Sequence, residues 1–305
     1  MREPALQQAP AAIRRSEGQI DLTDPGASVA DAGPAFGERY AYTWLPPEPQ
    51  RILILIHGYA EHAGRYDEMA MYFARRGFVV RAYDQAGHGR TAGARGHVDR
   101  FDRLTEEVAR FVDLVRLEHP GLPVTLLGHS MGGLVVAGTA ALRKPAVDRI
   151  VLSGALLELG SEGGLRQKLS LWAAKLLSVI APKVGLAAGL DLEGLSRDPK
   201  VIRRYEADPY VKDRMTARFA AGMSAMVSEV AGLAHEVEQP ILILHGEADS
   251  IAPPAGSRAF HAGLKPEVSS ASALQIYPEL RHEIFNEPER ESVWQDILRW
   301  LEGAG

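Results

Sequence analysis

Five short, nearly continuous apolar runs constrain the fold of this chain more than any other feature. They are Ile52–Ile56, Val79–Tyr83, Val124–Leu127, Ile150–Leu152 and Ile241–Leu244. Strands that are buried on both faces need such runs, so their presence implies a parallel sheet covered by helices. Segments with helical periodicity lie between the runs, which predicts an α/β fold with a doubly wound, mostly parallel sheet.

Three segments depart from this alternation of strands and helices. Residues 1–35 have no sustained period, and we expect them to form a loose tail. The aromatic segment Tyr40–Trp44 fits an antiparallel edge strand, because Pro46 and Pro47 end it directly afterwards. Residues 155–240 separate the fourth run from the fifth, far more than one crossover helix needs. We therefore expect an insertion between these two strands.

Composition excludes several classes of function. The chain has 34 Lys and Arg against 39 Asp and Glu, a net charge of −5, which gives no general attraction for nucleic acid. It has no cysteine, so a thiolate nucleophile and a cysteine-ligated metal are excluded. His57 and His62 are five positions apart with Glu61 between them, which matches no zinc motif. No apolar run reaches the length of a membrane span, and no secretory signal is recognised at the start.

The sequence Gly128-His129-Ser130-Met131-Gly132 matches the G-x-S-x-G turn, which lifts a serine oxygen out of the backbone at the end of a strand. A predicted strand precedes it, and a predicted helix, Gly133–Leu142, follows it. A dinucleotide-binding turn shares this arrangement, but its G-x-G-x-x-G pattern would place glycine at position 130. We therefore predict that Ser130 is a nucleophile.

A serine nucleophile needs a general base and an acid that orients the base. His282 follows the predicted strand Ala273–Tyr277 and precedes the last helix, at the sheet edge where catalytic groups collect. Asp249 follows the strand Ile241–Leu244, which gives the hydrolase order of serine, aspartate and histidine. We predict His282 as the base and Asp249 as the acid.

Other titratable residues have simpler interpretations. Asp84 also ends a strand, but it precedes the serine in the chain. We expect it to hold the loop Gly87-His88-Gly89 by hydrogen bonds to the backbone. His119, His235 and His245 are expected to cap or pack secondary structure.

An acyl-transfer site also needs two N–H groups that face the oxyanion. The backbone N–H of Met131, directly after the nucleophile, is the first candidate. The second is the backbone N–H of Tyr59, because His57-Gly58 permits a sharp turn after the strand Ile52–Ile56.

From about Gly37 to Leu301 the chain resembles the monoacylglycerol lipase family of serine hydrolases, within the α/β-hydrolase superfamily. The motifs that carry the resemblance are His57-Gly58-Tyr59-Ala60-Glu61-His62 with Arg65-Tyr66, Asp84-Gln85-Ala86-Gly87-His88-Gly89, Gly128-His129-Ser130-Met131-Gly132-Gly133, Leu195-Ser196-Arg197-Asp198-Pro199, Asp208-Pro209-Tyr210 and His282-Glu283-Ile284-Phe285-Asn286-Glu287. Ala86 and Tyr59 depart from the usual residues of the family, and Tyr59 is expected to affect only the shape of the acyl pocket.

The resemblance implies an α/β-hydrolase core at residues 36–154 and 213–305, with a cap at residues 155–212. It implies hydrolysis of fatty-acid monoesters of glycerol without a cofactor, with a small lipid ester as partner. It also implies a cytoplasmic or membrane-peripheral place of work. Within the cap, Leu169, Trp172 and Leu176 share one helical stripe. The stripe is expected either to pack on the core or to contact the acyl chain and lipid aggregates.

Several alternatives stay open at the level of sequence. A lysophospholipase, a general carboxylesterase, a thioesterase and a peptidase would use the same residues. A non-catalytic binding module of the same fold would not need all of Ser130, Asp249 and His282. The sequence leaves acyl length, head group and oligomeric state undetermined.

Overall fold

One large sheet organises the protein. The computed structural model describes residues 12–23, 37–159, 175–187 and 189–303. The strands are β1 (Arg14–Asp21), β2 (Glu38–Leu45), β3 (Arg51–Ile56), β4 (Phe78–Tyr83), β5 (Val124–His129), β6 (Arg149–Ser153), β7 (Gly185–Ala187), β8 (Arg214–Thr216), β9 (Ile241–Gly246) and β10 (Ala273–Tyr277). Eight of them form the main sheet in the order β1-β2-β4-β3-β5-β6-β9-β10. The strands β4, β3, β5, β6, β9 and β10 are parallel, which confirms the expected α/β-hydrolase fold.

Helices cover both faces of this sheet. They are α1 (Asp67–Ala74), α2 (Arg103–Glu118), α3 (Met131–Arg143), α4 (residues 175–180), α5 (Pro199–Ala207), α6 (Ala217–Val230), α7 (Pro254–Ala262), α8 (Pro266–Ser269) and α9 (Arg290–Leu301). In β3, Ile54 and Ile56 join the core cluster under α2, α3 and α6, whereas Leu53 and Leu55 join the cluster under α1 and α9. Because both faces are buried, the strand reads as an uninterrupted apolar run.

The first strand was not expected. Arg14–Asp21 pairs antiparallel with β2 along its whole length, from Arg14 opposite Leu45 to Asp21 opposite Glu38. The prediction of a loose tail was therefore wrong for these residues. The edge position predicted for Tyr40–Trp44 was wrong too, because β2 lies between β1 and β4. Most side chains of β1 are exposed, so the strand carries no apolar period that a sequence pattern could report.

The described part of the expected insertion contacts the loop after β3. The Tyr205 hydroxyl in α5 donates to the Ala60 carbonyl at 3.2 Å, and His62 Nε2 lies 2.8 Å from Asp208 Oδ2. The strands β7 and β8 form a separate two-stranded sheet, which crosses the boundary predicted at residue 212. Among the described residues, none of the helices combines the length and apolar character that crossing a bilayer demands.

Candidate active site

The three side chains predicted to act together follow three different parallel strands. Ser130 comes directly after β5, Asp249 after β9 and His282 after β10. The loop with Tyr59 follows β3, which pairs with β5. Because parallel strands bring their carboxyl ends to one edge, these loops meet in a single crevice.

Hydrogen bonds connect the three side chains in a line. Ser130 Oγ lies 2.8 Å from His282 Nε2, and His282 Nδ1 lies 2.7 Å from Asp249 Oδ2. The carboxylate can only accept, so Nδ1 carries the proton. Nε2 of the neutral ring is then left to accept from the serine hydroxyl, which is the arrangement that nucleophile activation requires.

The backbone at Ser130 is held in a strained conformation. Its φ is 55° and its ψ is −120°, outside the regions that side-chain-bearing residues ordinarily adopt. The turn is possible because its glycines permit close backbone contacts. A Cβ at Gly128 would lie 2.4 Å from the Gly132 carbonyl oxygen, and one at Gly132 would lie 2.2 Å from the Ile56 carbonyl oxygen. Strand, turn and helix therefore approach only if both positions are glycine.

The charges around His282 favour its role as a base. Burial alone would lower its pKa, but the attraction of Asp249 and the hydrogen bond to this carboxylate raise the pKa above its usual value. Burial alone would raise the pKa of Asp249, but His282 and His245 hold it well below the ordinary range. Asp249 is therefore an anion that stabilises a developing imidazolium at His282.

Tyr59 and Met131 line the same cavity as Ser130. His57 holds the peptide bond between Gly58 and Tyr59 in place. Its Nδ1 donates to the Gly58 carbonyl at 2.7 Å, and its Nε2 accepts from the Gln85 N–H at 2.9 Å. In a planar trans peptide the N–H points away from the carbonyl, so this bond fixes the direction of the Tyr59 N–H. Burial holds the pKa of His57 well below its usual value, which keeps the ring neutral.

A buried charge cluster forms one wall of the cavity. Arg65 binds Glu283 through two hydrogen bonds of 2.8 and 2.9 Å and donates to Glu61 at 2.8 Å. Glu61 also accepts from the Gly58 N–H at 2.6 Å, so the cluster supports the same loop that carries Tyr59. Burial alone would raise the pKa of Glu283, but the guanidinium of Arg65 lowers it below the usual value. No structural role was predicted for Glu61 from the sequence.

The rest of the cavity is mainly apolar. Its volume is about 220 Å³. Eight aliphatic or thioether side chains of the described residues line it: Met131, Leu156, Leu159, Leu190, Leu195, Met215, Met223 and Ile251. Such a lining binds hydrocarbon better than it binds a charged or strongly hydrated group.

Four further residues carry predictions from the sequence: Leu169, Trp172, Leu176 and Asp84. Leu169 and Trp172 lie outside the described residues. Leu176 belongs to α4, is 47% exposed and is not among the described residues that line the cavity. Asp84 accepts from the backbone N–H of Arg90 at 2.7 Å, directly after the loop Gly87-His88-Gly89 that it was expected to hold. It also accepts from the backbone N–H of Ala63 at 2.9 Å, in the loop after β3, which was not predicted.

The contact between His245 and Asp249 was also not predicted. His245 was expected only to cap or pack, but its Nε2 lies 3.0 Å from Asp249 Oδ2. The spacing of four residues between a strand-ending histidine and the proposed acid is the signal that could have indicated it. His235 lies in a separate 3-10 turn, and His119 ends α2 as expected.

A family model matches most of the chain. The family model described as "Serine aminopeptidase, S33" matches residues 47–289, which include Ser130, Asp249 and His282. This stretch covers most of the chain, from the segment before β3 to the start of the last helix.

The chain is also similar to individual lipases. It is 36% identical to a monoacylglycerol lipase of Mycolicibacterium smegmatis, over 87% of this chain and 93% of that protein. It is 32% identical to human monoglyceride lipase, over 85% of this chain and 84% of that protein. A crystal structure of Paleococcus ferrophilus monoacylglycerol lipase superimposes with a TM-score of 0.76 at 32% identity, over 88% of this chain and 99% of that one. The chain therefore belongs to the serine hydrolases of the S33 type and to the monoacylglycerol lipase family within them, as a carboxylic ester hydrolase of the α/β-hydrolase fold.

Proposed function

We propose that the protein hydrolyses monoacylglycerol to glycerol and a free fatty acid through an acyl-serine intermediate. The observation that carries this proposal is the line of hydrogen bonds from Ser130 through His282 to Asp249, which opens onto an apolar cavity. The names of the relatives support a glycerol monoester as substrate. In this proposal Ser130 is the nucleophile, His282 the general base and Asp249 the residue that orients it.

The first half of the reaction acylates the serine. Ser130 Oγ bonds to the ester carbonyl carbon while its proton moves to His282 Nε2. The carbonyl oxygen becomes an oxyanion, which accepts hydrogen bonds from the backbone N–H groups of Tyr59 and Met131. The bond from carbon to the glycerol oxygen then breaks, and His282 returns its proton to that oxygen.

The second half repeats these steps with water. A water molecule gives a proton to His282 Nε2 and attacks the acyl carbon, and the same two N–H groups hold the oxyanion. The bond to Ser130 Oγ breaks as Oγ takes the proton back, which releases the fatty acid.

The insertion is proposed to act as a cap over this site. The strand β8 pairs with β7, so the predicted cap boundary at residue 212 moves to about Thr216. Residues 36–154 and 217–305 would then form the core. The described cap residues Leu190, Leu195 and Tyr205 line the cavity, which supports a role in acyl binding.

The cap is also proposed to touch lipid surfaces. Four apolar side chains around α4 are exposed: Leu176 at 47%, Val179 at 73%, Ile180 at 68% and Val184 at 44%. Lys175 and Lys183 are exposed in the same stretch. Apolar groups beside lysines are typical of surfaces that insert into the interface of an anionic membrane.

An aminopeptidase, as the family description suggests, is the second candidate. Such an enzyme needs an unpaired carboxylate to hold the α-ammonium group of a peptide. Among the described residues, the carboxylates that line the cavity are those of Glu61 and Glu283, and Arg65 binds both. The charge cluster and the apolar lining therefore favour the lipid ester.

Substrate profiling tests the proposal. The assay measures kcat/KM for monoacylglycerols and p-nitrophenyl esters of increasing acyl length, beside di- and triacylglycerol, a lysophospholipid and an aminoacyl p-nitroanilide. The expected result is the highest kcat/KM on monoacylglycerols. Preference for the lysophospholipid or the anilide would contradict the proposal, and equal rates on all esters would indicate a general carboxylesterase.

A further inference from the structure

Two histidines share one oxygen of Asp249. His282 Nδ1 lies 2.7 Å from Oδ2, and His245 Nε2 lies 3.0 Å from the same atom. The other oxygen, Oδ1, accepts from the backbone N–H groups of Ile251 at 2.8 Å and Ala252 at 2.9 Å. The mechanism above uses the bond to His282 and gives no role to His245.

The partners of His245 define which nitrogen carries its proton. Nε2 also lies 2.9 Å from the Ala252 carbonyl oxygen, so both of its neighbours are acceptors and Nε2 must donate. Nδ1 lies 2.7 Å from the hydroxyl of Ser257, in α7. Both His245 and Ser257 are fully buried. The ring is therefore held from two sides with its N–H directed at Oδ2 and at the loop that follows Asp249.

We infer that His245, held by Ser257, is a positioning residue that keeps the Asp249 carboxylate oriented towards His282 and shares its negative charge. The inference rests on the proposed role of Asp249 in the triad. A histidine that only fills space could turn either nitrogen to any nearby backbone group. Here the donor reaches the one side-chain oxygen that already contacts the proposed base.

Sharing the charge has a consequence for His282. A carboxylate oxygen with one donor fewer attracts the imidazolium of His282 more strongly, so loss of the His245 N–H raises the pKa of His282. The ascending limb of kcat/KM against pH then moves to higher pH, because only neutral His282 can accept the serine proton. Among the described residues, Glu283, Glu61 and His129 also interact with His282, and Arg65 binds Glu283. These four groups are unchanged in the three variants that test the inference.

Three variants test the inference. His245→Leu keeps the bulk and removes the donor, His245→Gln keeps an amide N–H, and Ser257→Ala removes the group that holds the ring. For His245→Leu we expect kcat on a short dissolved ester to fall about tenfold to a hundredfold with little change in KM, since a hydrogen bond to a charged group is lost. The ascending limb should move to higher pH. His245→Gln should recover most of kcat, and Ser257→Ala should show a smaller loss with the same shift of the limb.

A mutant cycle separates this inference from the proposed function. If His245 acts through Asp249, His245→Leu should have almost no further effect on kcat in an Asp249→Asn background. Wild-type activity of Asp249→Asn itself would overturn the proposed function. The inference alone would be overturned if Asp249→Asn loses most of its kcat while the folded His245 and Ser257 variants keep the wild-type kcat and the wild-type ascending limb of kcat/KM against pH.

The melting temperature of each variant serves as the control for correct folding. This control is needed because His245 is buried and His245→Leu leaves the Ala252 carbonyl without this donor. If His245→Leu does not fold, His245→Gln and Ser257→Ala decide the question. The inference is supported if the ascending limb of kcat/KM moves to higher pH in Ser257→Ala and His245→Gln keeps nearly the wild-type kcat. Wild-type limbs in both variants contradict it.

Discussion

Ser130 Oγ lies 2.8 Å from His282 Nε2, although the two residues are 152 positions apart in the chain. No local segment produces this contact. It depends on the order of strands between β5 and β10 and on the turn that lifts Ser130 above the sheet edge. Reactivity of the serine is therefore a property of the folded sheet.

Removing the Ser130 hydroxyl should abolish ester hydrolysis and leave the fold intact. Loss of the nucleophile in a comparable triad lowers kcat about a millionfold. Hydrolysis of a p-nitrophenyl ester by Ser130→Ala measures the loss, and a fluorophosphonate should label only Ser130 in the wild type. The exposed Ser250 is a matched control, and Ser250→Ala should keep both activity and labelling. Labelling at another serine would contradict the assignment.

Asp249→Asn should lower kcat far more than Asp84→Asn. An amide at position 249 no longer stabilises the imidazolium and can favour the wrong tautomer, a loss of about 10⁴-fold in a comparable triad. Asp84 binds two backbone N–H groups of loops, so Asp84→Asn should mainly lower the melting temperature. Equal losses of kcat in two folded variants would mean that the two roles are exchanged.

The dependence of kcat/KM on pH should follow the deprotonation of His282. Because Asp249 raises the pKa of His282, the ascending limb should lie above about 6.5, the value of an unperturbed histidine. In Asp249→Asn the stabilising charge is lost, so the residual activity should rise at lower pH than in the wild type. A limb that does not move would contradict the proposed pairing.

Gly132→Ala should disrupt the turn at Ser130. The new Cβ would lie 2.2 Å from the Ile56 carbonyl oxygen and 2.4 Å from that of His57, so the strand and the helix must separate. We expect loss of activity and a lower melting temperature. Gly138→Ala, in the same helix, is the control, because its Cβ would meet only side chains, at 3.3 Å or more. This control should stay active and within about 1 kcal/mol of wild-type stability.

The exposed apolar side chains of α4 should affect the rate of hydrolysis only for aggregated substrate. The double variant Val179→Ser and Ile180→Ser should lower the rate on long-chain monoacylglycerol in anionic vesicles, while dissolved butyryl esters are hydrolysed as before. Leu117→Ser is the control, since Leu117 is 81% exposed on α2, outside the cap. Equal loss on both substrates would argue against contact with lipid surfaces. Trp172→Ser tests the expected acyl contact in the same assay.

Part of this architecture could be predicted from the sequence, because it depends on residues that are neighbours in the chain. The apolar runs predicted the buried strands, since a strand covered on both faces must be apolar at every position. The glycines around Ser130 indicated the turn, because backbone atoms lie where a Cβ would be. The positions of Asp249 and His282 in the loops that follow two strands indicated the sheet edge that they share.

Other features depend on contacts between distant segments. The edge strand β1 is polar and exposed, so its pairing with β2 leaves no apolar signal. The clamp of Arg65 on Glu283, 218 positions away, arises only when the loops after β3 and β10 meet. In the sequence, His245 has the features of an ordinary buried histidine. Its contact with Asp249 depends on the path of the loop after β9, which brings Asp249 within hydrogen-bond distance of the ring. Sequence by itself therefore determined the buried strands, the strained turn and the candidate residues, because these follow from local burial and backbone space. Only the tertiary structure decided which side chains share a hydrogen bond, because that depends on the order of strands and the path of the loops.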